Sequence, residues 1–431
     1  MTPFEKANIR KIFFFFPYHT IGGVPVLFLR MAHALVGGYP ELHISLIDYP
    51  DGYMARNVTD SRLKILHLVP GKKIIIDDDS VCVMQSLPLW RLPEEISFGN
   101  GTRLLFWHLH PFNISPGSHW LSPQQDSFSL SLIIRKMLFA AQRQKLRKLV
   151  EECFRCQGIV FMDRANLEGV RLATGAHIDV ATFVPVPGSD SIIDLGERLK
   201  PAVPLRCAWI GRLEDFKIPI LSYTLKRIAA YATNRNCPVE FHIIGDGEEA
   251  DQLVMFAKEL KNQFFSVIFH GTVPLERLDM VLVEHVDLLF AMGTAALEGA
   301  KLAIPVVLLD FSYTQLTADY QYRYLFDSEE YTLGSMITDR HYCAGNSSLE
   351  LILDDARGSE YEKLAMKTRS YYRQYHSLDS VLKLFASAVI STKLTFSIVR
   401  RLRLAELDLP MRVIYALKRV LTGFDYHIPS E

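Results

Sequence analysis

Runs of consecutive apolar residues alternate with helix-forming stretches, and the alternation is played through twice. In the first half, Ile12–Phe16, His43–Ile47, Arg62–Leu68, Val81–Met84, Arg103–Trp107 and Gly158–Met162 read as strands, with Lys73–Ile76 a shorter one pairing nearby. Strands that are apolar at nearly every position are buried on both faces, as in a parallel sheet covered by helices. Helices are read over Val24–Leu35, Leu130–Phe154 and Ala165–Ala173. Val184-Pro-Val-Pro-Gly188 then breaks the pattern and reads as an interdomain linker. The second half restarts with strands Leu205–Ile210, Glu240–Ile244, Val267–His270, Asp287–Ala291 and Pro305–Leu309. Its helices are Pro219–Thr233, Glu248–Leu260, Pro274–Glu284 and Thr294–Leu302. The expected fold is α/β, with two Rossmann-like doubly wound domains facing a cleft. The expected boundaries are 1–186 for the first domain, 187–370 for the second, 371–390 for a cross-over helix returning to the first domain, and 391–431 for a helical tail. Ligands of such sheets sit at the C-terminal ends of the strands, which puts the expected site in the cleft.

A chain of 431 residues suits two domains, and 49% hydrophobic content is ample for two cores. A formal net charge of −1 lacks the basic footprint of a nucleic-acid binder. Of six cysteines only Cys153 and Cys156 are paired as Cys-x-x-Cys, with no second pair or His pair at zinc spacing. They read as small apolar residues of a helix in a cytoplasmic protein with reduced thiols. The apolar run before Pro17 is too short and wrongly flanked for a signal peptide. No apolar stretch approaches the ~20 residues that span a bilayer.

The chemistry concentrates after residue 205. Strand Cys207–Ile210 runs into Gly211, with Arg212 and Lys217 on the following turn. Glycine permits a sharp bend and close approach of a ligand, and two cations at a strand end can clamp a diphosphate. Gly245-Asp-Gly247 follows the next strand, His270-Gly271-Thr272-Val273 the one after, and Gly293-Thr294 opens a helix that carries Glu298, with Ile304-Pro-Val-Val307 behind it. In order and spacing this series resembles the retaining nucleotide-sugar glycosyltransferases of the GT-B type, in particular glycosyltransferase family four (glycosyl transferases group 1). The resemblance covers about Ile12 to Phe385; it is strong from Cys207 to Leu309 and loose before Pro187.

The resemblance implies a GT-B architecture and roles for particular residues. Arg212 and Lys217 would neutralise the donor diphosphate as negative charge grows on the leaving phosphate. Gly211, Gly293 and Thr294 would approach the phosphates, Gly271, Thr272 and Val273 the base, and Glu298 the ribose hydroxyls, with Gly245 also in the donor site. Relatives carry a second Glu eight residues before the ribose-binding one, where this chain has Phe290. That departure points either to an unusual donor sugar, for instance a deoxy one, or to lost catalysis. In the first domain Gly22-Gly23 would meet donor phosphate and acceptor, or forms a plain turn. His108 and His110, two apart at a strand end, are expected to face one way and to serve the donor sugar or acceptor, with His110 preferred, or to be structural. In the alternative register the usual histidine follows Val81–Met84, where Gln85 and Ser86 stand instead. Asp163 is a weaker acceptor candidate. Asp77-Asp78-Asp79 reads as a solvated turn rather than a metal-binding Asp-x-Asp.

The implied activity is metal-independent transfer of a hexosyl or deoxyhexosyl group from a nucleotide diphosphate-sugar, the co-substrate, to a saccharide or lipid-linked acceptor. It would proceed with retention, in surface polysaccharide or lipopolysaccharide assembly, with no cofactor, no metal and no nucleic acid. The alternatives are a non-catalytic nucleotide-sugar or glycan-binding homologue acting as an assembly subunit, and a GT-B nucleotide-sugar epimerase. The tail from Ser391 to Phe424 interleaves apolar and basic residues around Pro410. It is expected either to lie on an anionic membrane at the inner face of the cell membrane, or to dock on the protein itself or on a sister subunit.

Overall fold

The structure is a computed structural model, and it describes residues 3–111, 113, 114, 140–191, 201–316, 320–337 and 347–406. The chain divides into two compact units, Met1–Pro185 with Leu382–Glu431, and Val186–Val381.

The first unit is built on a six-stranded sheet of order β3-β2-β1-β5-β7-β8, parallel throughout. Its strands are β1 (Lys11–Phe15), β2 (His43–Asp48), β3 (Lys64–His67), β5 (Ser80–Gln85), β7 (Arg103–His108) and β8 (Ile159–Phe161). The short β4 (Ile74–Ile76) pairs in a separate ribbon with β6 (Ile96–Phe98), a strand that the sequence reading passes over. Helices Gly23–Gly38, Ala140–Arg155 and Arg164–Thr174 follow β1, precede β8 and follow β8. The part of the expected Leu130–Phe154 helix before residue 140 lies outside the described residues. Cys153 and Cys156 are free thiols buried in this core.

The tail is partly settled. Leu394, Val399 and Leu404 are buried in the core of the first unit. The chain is laced to it by Thr392 Oγ1 donating to the Leu104 carbonyl (2.7 Å) and by Leu104 N–H donating to the Leu394 carbonyl (2.8 Å). Residues 392–404 therefore dock on the protein's own surface, and these apolar side chains are not presented to a membrane. Pro410 and the rest of the tail from 407 lie outside the described residues.

The second unit has a six-stranded sheet of order β11-β10-β9-β12-β13-β14. Its strands are β9 (Leu205–Ile210), β10 (Val239–Ile244), β11 (Phe265–Gly271), β12 (Leu288–Ala291), β13 (Val306–Leu308) and β14 (Arg323–Tyr324). The edge strand β14 is antiparallel to β13; the other pairings are parallel. The core gathers Trp209, Phe241, Phe290, Tyr320 and Tyr322. Where a single cross-over helix over 371–390 is expected, helix Tyr361–Tyr371 passes into a π-helical turn, Tyr372–His376, before helix Leu378–Ser391. The turn holds the chain that enters the unit: His376 Nδ1 lies 2.9 Å from the Val186 carbonyl, and Gly188 N–H donates to the His376 carbonyl at 2.8 Å.

Candidate functional site

Four neighbouring strands of the second unit, β11, β10, β9 and β12, end in the four glycine-bearing segments found in the sequence. Parallel pairing puts their C-terminal ends on one edge. Backbone bonds lace the loops together. Gly211 N–H donates to the Ile244 carbonyl (3.0 Å), Leu213 N–H to the Asp246 carbonyl (3.0 Å) and Gly245 N–H to the Gly271 carbonyl (2.8 Å). The approach at Gly245 is so close that a Cβ there would lie 2.1 Å from the Gly211 carbonyl oxygen, and the residue has φ of +136°. Only glycine fits that position. Thr272 is exposed and Val273 half-buried just beyond Gly271.

Arg212 and Lys217 do not stand as two bare cations. Glu214 bridges them: its Oε1 is 2.9 Å from Arg212 Nη2 and its Oε2 is 2.7 Å from Lys217 Nζ. Arg212 is largely exposed, while Lys217 is mostly covered and lies over the Phe216 ring at 5.1 Å. Lys217 is also the N-cap residue of the 17-residue helix Ile218–Asn234. The triad keeps one net positive charge beside a helix N-terminus, where an anion is favoured. Nothing in the spacing of the two cations signalled Glu214, which reads equally well as a solvated turn residue.

The fourth segment is short. β12 ends at Ala291, and helix Ala295–Lys301 begins after Met292, Gly293 and Thr294, with Gly293 at φ of +62°. Counting eight residues back from Glu298 therefore lands inside β12. Phe290 is fully buried, paired between Trp209 and Val307 and packed near Phe241 (6.0 Å) and Tyr322 (6.3 Å). It is a core residue and does not stand at a donor-facing loop position. The expectation that it replaces a sugar-binding carboxylate in place is corrected accordingly.

Glu298 is half-buried in a network of charges. Ser189 Oγ lies 3.2 and 3.1 Å from its two oxygens, and Lys301 Nζ lies 2.6 Å from Oε2. Lys301 also meets Asp279 Oδ1 at 2.8 Å and is itself buried. Lys301, three residues beyond Glu298 on a helix, was passed over because a lone Lys among alanines looks like a solvent-facing charge.

In the first unit the sequence candidates separate. Gly22 is extended, with φ of −153°, and Gly23 begins a helix with nothing within 4 Å of an added Cβ. The fold does not require glycine at Gly23, while at Gly22 an added Cβ would press on the Tyr18 ring at 3.2 Å. β7 ends at His108, so the alternation that would align His108 with His110 stops there. His108 is buried with its ring edge-on to Phe161 at 5.6 Å, whereas His110 is exposed. The two imidazoles do not present one face. Gln85 pairs with Trp107 across β5 and β7, so the two registers considered for the active-site histidine converge on adjacent strand ends. Asp163 is the N-cap of helix Arg164–Thr174: its Oδ1 accepts from Asn166 N–H (2.8 Å) and from the Asn166 side-chain amide (2.7 Å). Its carboxylate is thereby engaged in starting a helix. Asp77–Asp79 lie just before β5 at the N-terminal edge of the sheet; Asp77 and Asp79 pair with Lys11, and Asp78 accepts from Gly101 N–H (2.8 Å). Among the described residues no group of three or more His, Cys, Asp or Glu is disposed to hold a metal ion.

Three buried histidines make the fold acid-sensitive. Burial pushes His108 from its ordinary 6.5 down to about 3, with the nearby His110 adding to it, and pushes His242 and His376 down to about 4. A folded state that refuses protons the unfolded chain accepts is at full stability above pH 6.5, and loses it as pH falls towards those lowered values. Stability is expected to drop between pH 6 and 4 by at most about 1.4 kcal/mol per pH unit per histidine, the slope tapering for His242 and His376 as pH nears 4. Urea melts across that range check it, and a flat profile would contradict it.

A scan against protein-family models finds no match, and neither does a search of curated proteins. Solved structures do match. A glycosyltransferase from Rickettsia africae aligns with TM-score 0.52 at 10% identity, covering 89% of this chain and 98% of that one. WaaG, a glycosyltransferase involved in lipopolysaccharide biosynthesis, aligns with TM-score 0.48 at 13% identity over 89% of this chain and all of that one. Anabaena HepE, solved in complex with UDP and glucose, aligns with TM-score 0.45 at 13% identity over the same share. The fold is of the GT-B type. Arg212, Lys217, Glu298 and every other candidate of the strong sequence series lie in the second unit.

Proposed function

We propose that the second unit binds a nucleotide diphosphate-sugar and that the protein transfers the sugar, with retention, to a saccharide or lipid-linked saccharide acceptor in surface polysaccharide or lipopolysaccharide assembly. The observation that carries this reading is the convergence of the four segments on adjacent strand ends. There a cationic pair opens a long helix, and a carboxylate already engages a hydroxyl. Arg212 and Lys217 would take the diphosphate, and their charge would matter more as the glycosidic bond breaks. Gly271–Val273 would line the base through the backbone, and Gly293–Thr294 would approach the phosphates. The sugar is a hexose or deoxyhexose, and the reaction needs no metal. Of the two histidines, His110, exposed beyond β7, would be the one to serve donor or acceptor, and His108, buried, would act only by supporting that strand end. Among the described residues no helix is long and apolar enough to cross a membrane.

The test is transfer itself. Purified protein is incubated with a panel of nucleotide sugars and lipid-linked or free saccharide acceptors, with and without EDTA, and the anomeric configuration of the product is read by NMR. A retained linkage formed in EDTA is expected; an inverted linkage, or formation only with metal, would contradict the reading. A second reading has its own observation: Glu214 occupies both cations. A non-catalytic nucleotide-sugar binder would show binding to folded protein without any product.

A further inference from the structure

The ammonium of Lys301 has three N–H donors and three partners: Glu298 Oε2 (2.6 Å), Asp279 Oδ1 (2.8 Å) and Ser189 Oγ (2.7 Å). Two are carboxylates fixed on helices Ala295–Lys301 and Leu275–His285. The third is a hydroxyl, and it does two things at once: it accepts from Lys301 and donates to the Glu298 carboxylate. A ribose hydroxyl would make that same pair of bonds. Two carboxylates against one ammonium leave the cluster net negative, which disfavours a phosphate and favours a neutral donor–acceptor group.

Building on the reading of this unit as the nucleotide site, we infer that Ser189 is an internal stand-in for a ribose hydroxyl and that Lys301 is a second ribose-binding side chain. As a nucleotide enters, Ser189 turns away, and a ribose hydroxyl takes over its bonds to Glu298 and Lys301. The serine yields without moving the chain. Its carbonyl accepts from the Tyr372 hydroxyl at 2.7 Å, and Gly188 packs so tightly that an added Cβ would lie 2.5 Å from Tyr372 Cε2. The backbone stays pinned while the side chain changes rotamer. Lys301 is thus a specificity residue for ribose over deoxyribose, since a missing hydroxyl would leave one buried N–H of the ammonium without a partner.

The experiment is isothermal titration of the full chain with UDP, GDP, ADP and CDP and with the 2′-deoxy and 3′-deoxy forms of whichever binds. Ser189→Ala removes the competitor and is expected to tighten the ribonucleotide about threefold to tenfold. Lys301→Met, confirmed folded by circular dichroism, is expected to weaken the ribonucleotide about tenfold or more and one deoxy form far less, so that their ratio falls towards one. Lys301→Arg, which keeps the charge and the donors, is expected to restore part of the ratio. Unchanged or weaker binding by Ser189→Ala overturns the stand-in. An unchanged ratio in folded Lys301→Met overturns the role of Lys301, while nucleotide binding by the unit stands. Wild-type protein that binds none of the four overturns the nucleotide reading and this inference together.

Discussion

Lys217→Ala is expected to lower kcat/KM for sugar transfer by about 10²- to 10³-fold, with little change in melting temperature. The residue stands at the N-cap position of a long helix without a side-chain capping bond, and its ammonium faces Glu214 at 2.7 Å, so its removal leaves Arg212 as the sole cation opposite that carboxylate and takes the triad from net positive to neutral. A neutral triad has no charge to offer the leaving diphosphate. The ion pair that is lost is a local one of three residues' separation, worth under about 1 kcal/mol to folding. Lys217→Arg keeps the charge and should retain much of the activity. Initial rates against donor concentration check this: a fall in kcat/KM below threefold would remove Lys217 from the diphosphate site.

The largest stability effect is expected at Asp310. The carboxylate is fully buried and takes both guanidinium nitrogens of Arg323 at 2.6 Å, the Tyr320 hydroxyl at 2.7 Å and the Ser335 N–H at 2.8 Å. Burial pushes its carboxyl up, but Arg323 outweighs this and holds it below the ordinary carboxylate value of 3.8. The stabilisation is therefore present above pH 3.8 and lost only in stronger acid, below the range in which the buried histidines act. Asp310→Ala strands a buried guanidinium and is expected to destabilise the second unit by about 3–5 kcal/mol, roughly 10 °C in melting temperature. Pairing it with Arg323→Met should recover much of the loss, because the uncompensated charge goes too. A single variant that melts within about 2 °C of wild type would contradict the role of this pair.

What was legible in the sequence follows from the physics of parallel sheets. Strands buried on both faces are continuous apolar runs, so β1, β5, β7, β9, β10 and β12 were read within a residue or two of their ends. β14 was missed because two residues at a sheet edge develop no periodicity, and β6 because Ile96-Ser97-Phe98 lacks the unbroken apolar run that marked its three-residue partner β4. The glycine segments were legible as punctuation after strands, yet the reason for Gly245 was not: it is contact with another loop's backbone. Phe290 was misread because a fixed count of eight assumes a loop between strand and helix longer than the three residues present here. His108 was misread because strand alternation was carried past the strand's last residue. Asp163 could have been found, since an Asp directly before a helix is an N-cap signal. Glu214 and Lys301 could have been found as local i,i+3 partners of Lys217 and Glu298, whereas Ser189 and Asp279 could not, because their contacts with Lys301 join segments distant in the chain and leave no local trace.

The central claim is that the second unit recognises a nucleoside diphosphate through Lys217 and Glu298. It is tested most directly by thermal unfolding of wild type, Lys217→Ala and Glu298→Ala with UDP, GDP, ADP and CDP and their sugar derivatives. Saturating ligand adds about 2.7 kcal/mol at a hundred times Kd, so the account predicts that one base series raises the wild-type melting temperature by several degrees and that both variants lose the shift. Folded wild-type protein that no nucleotide stabilises, or variants that keep the full shift, would contradict it.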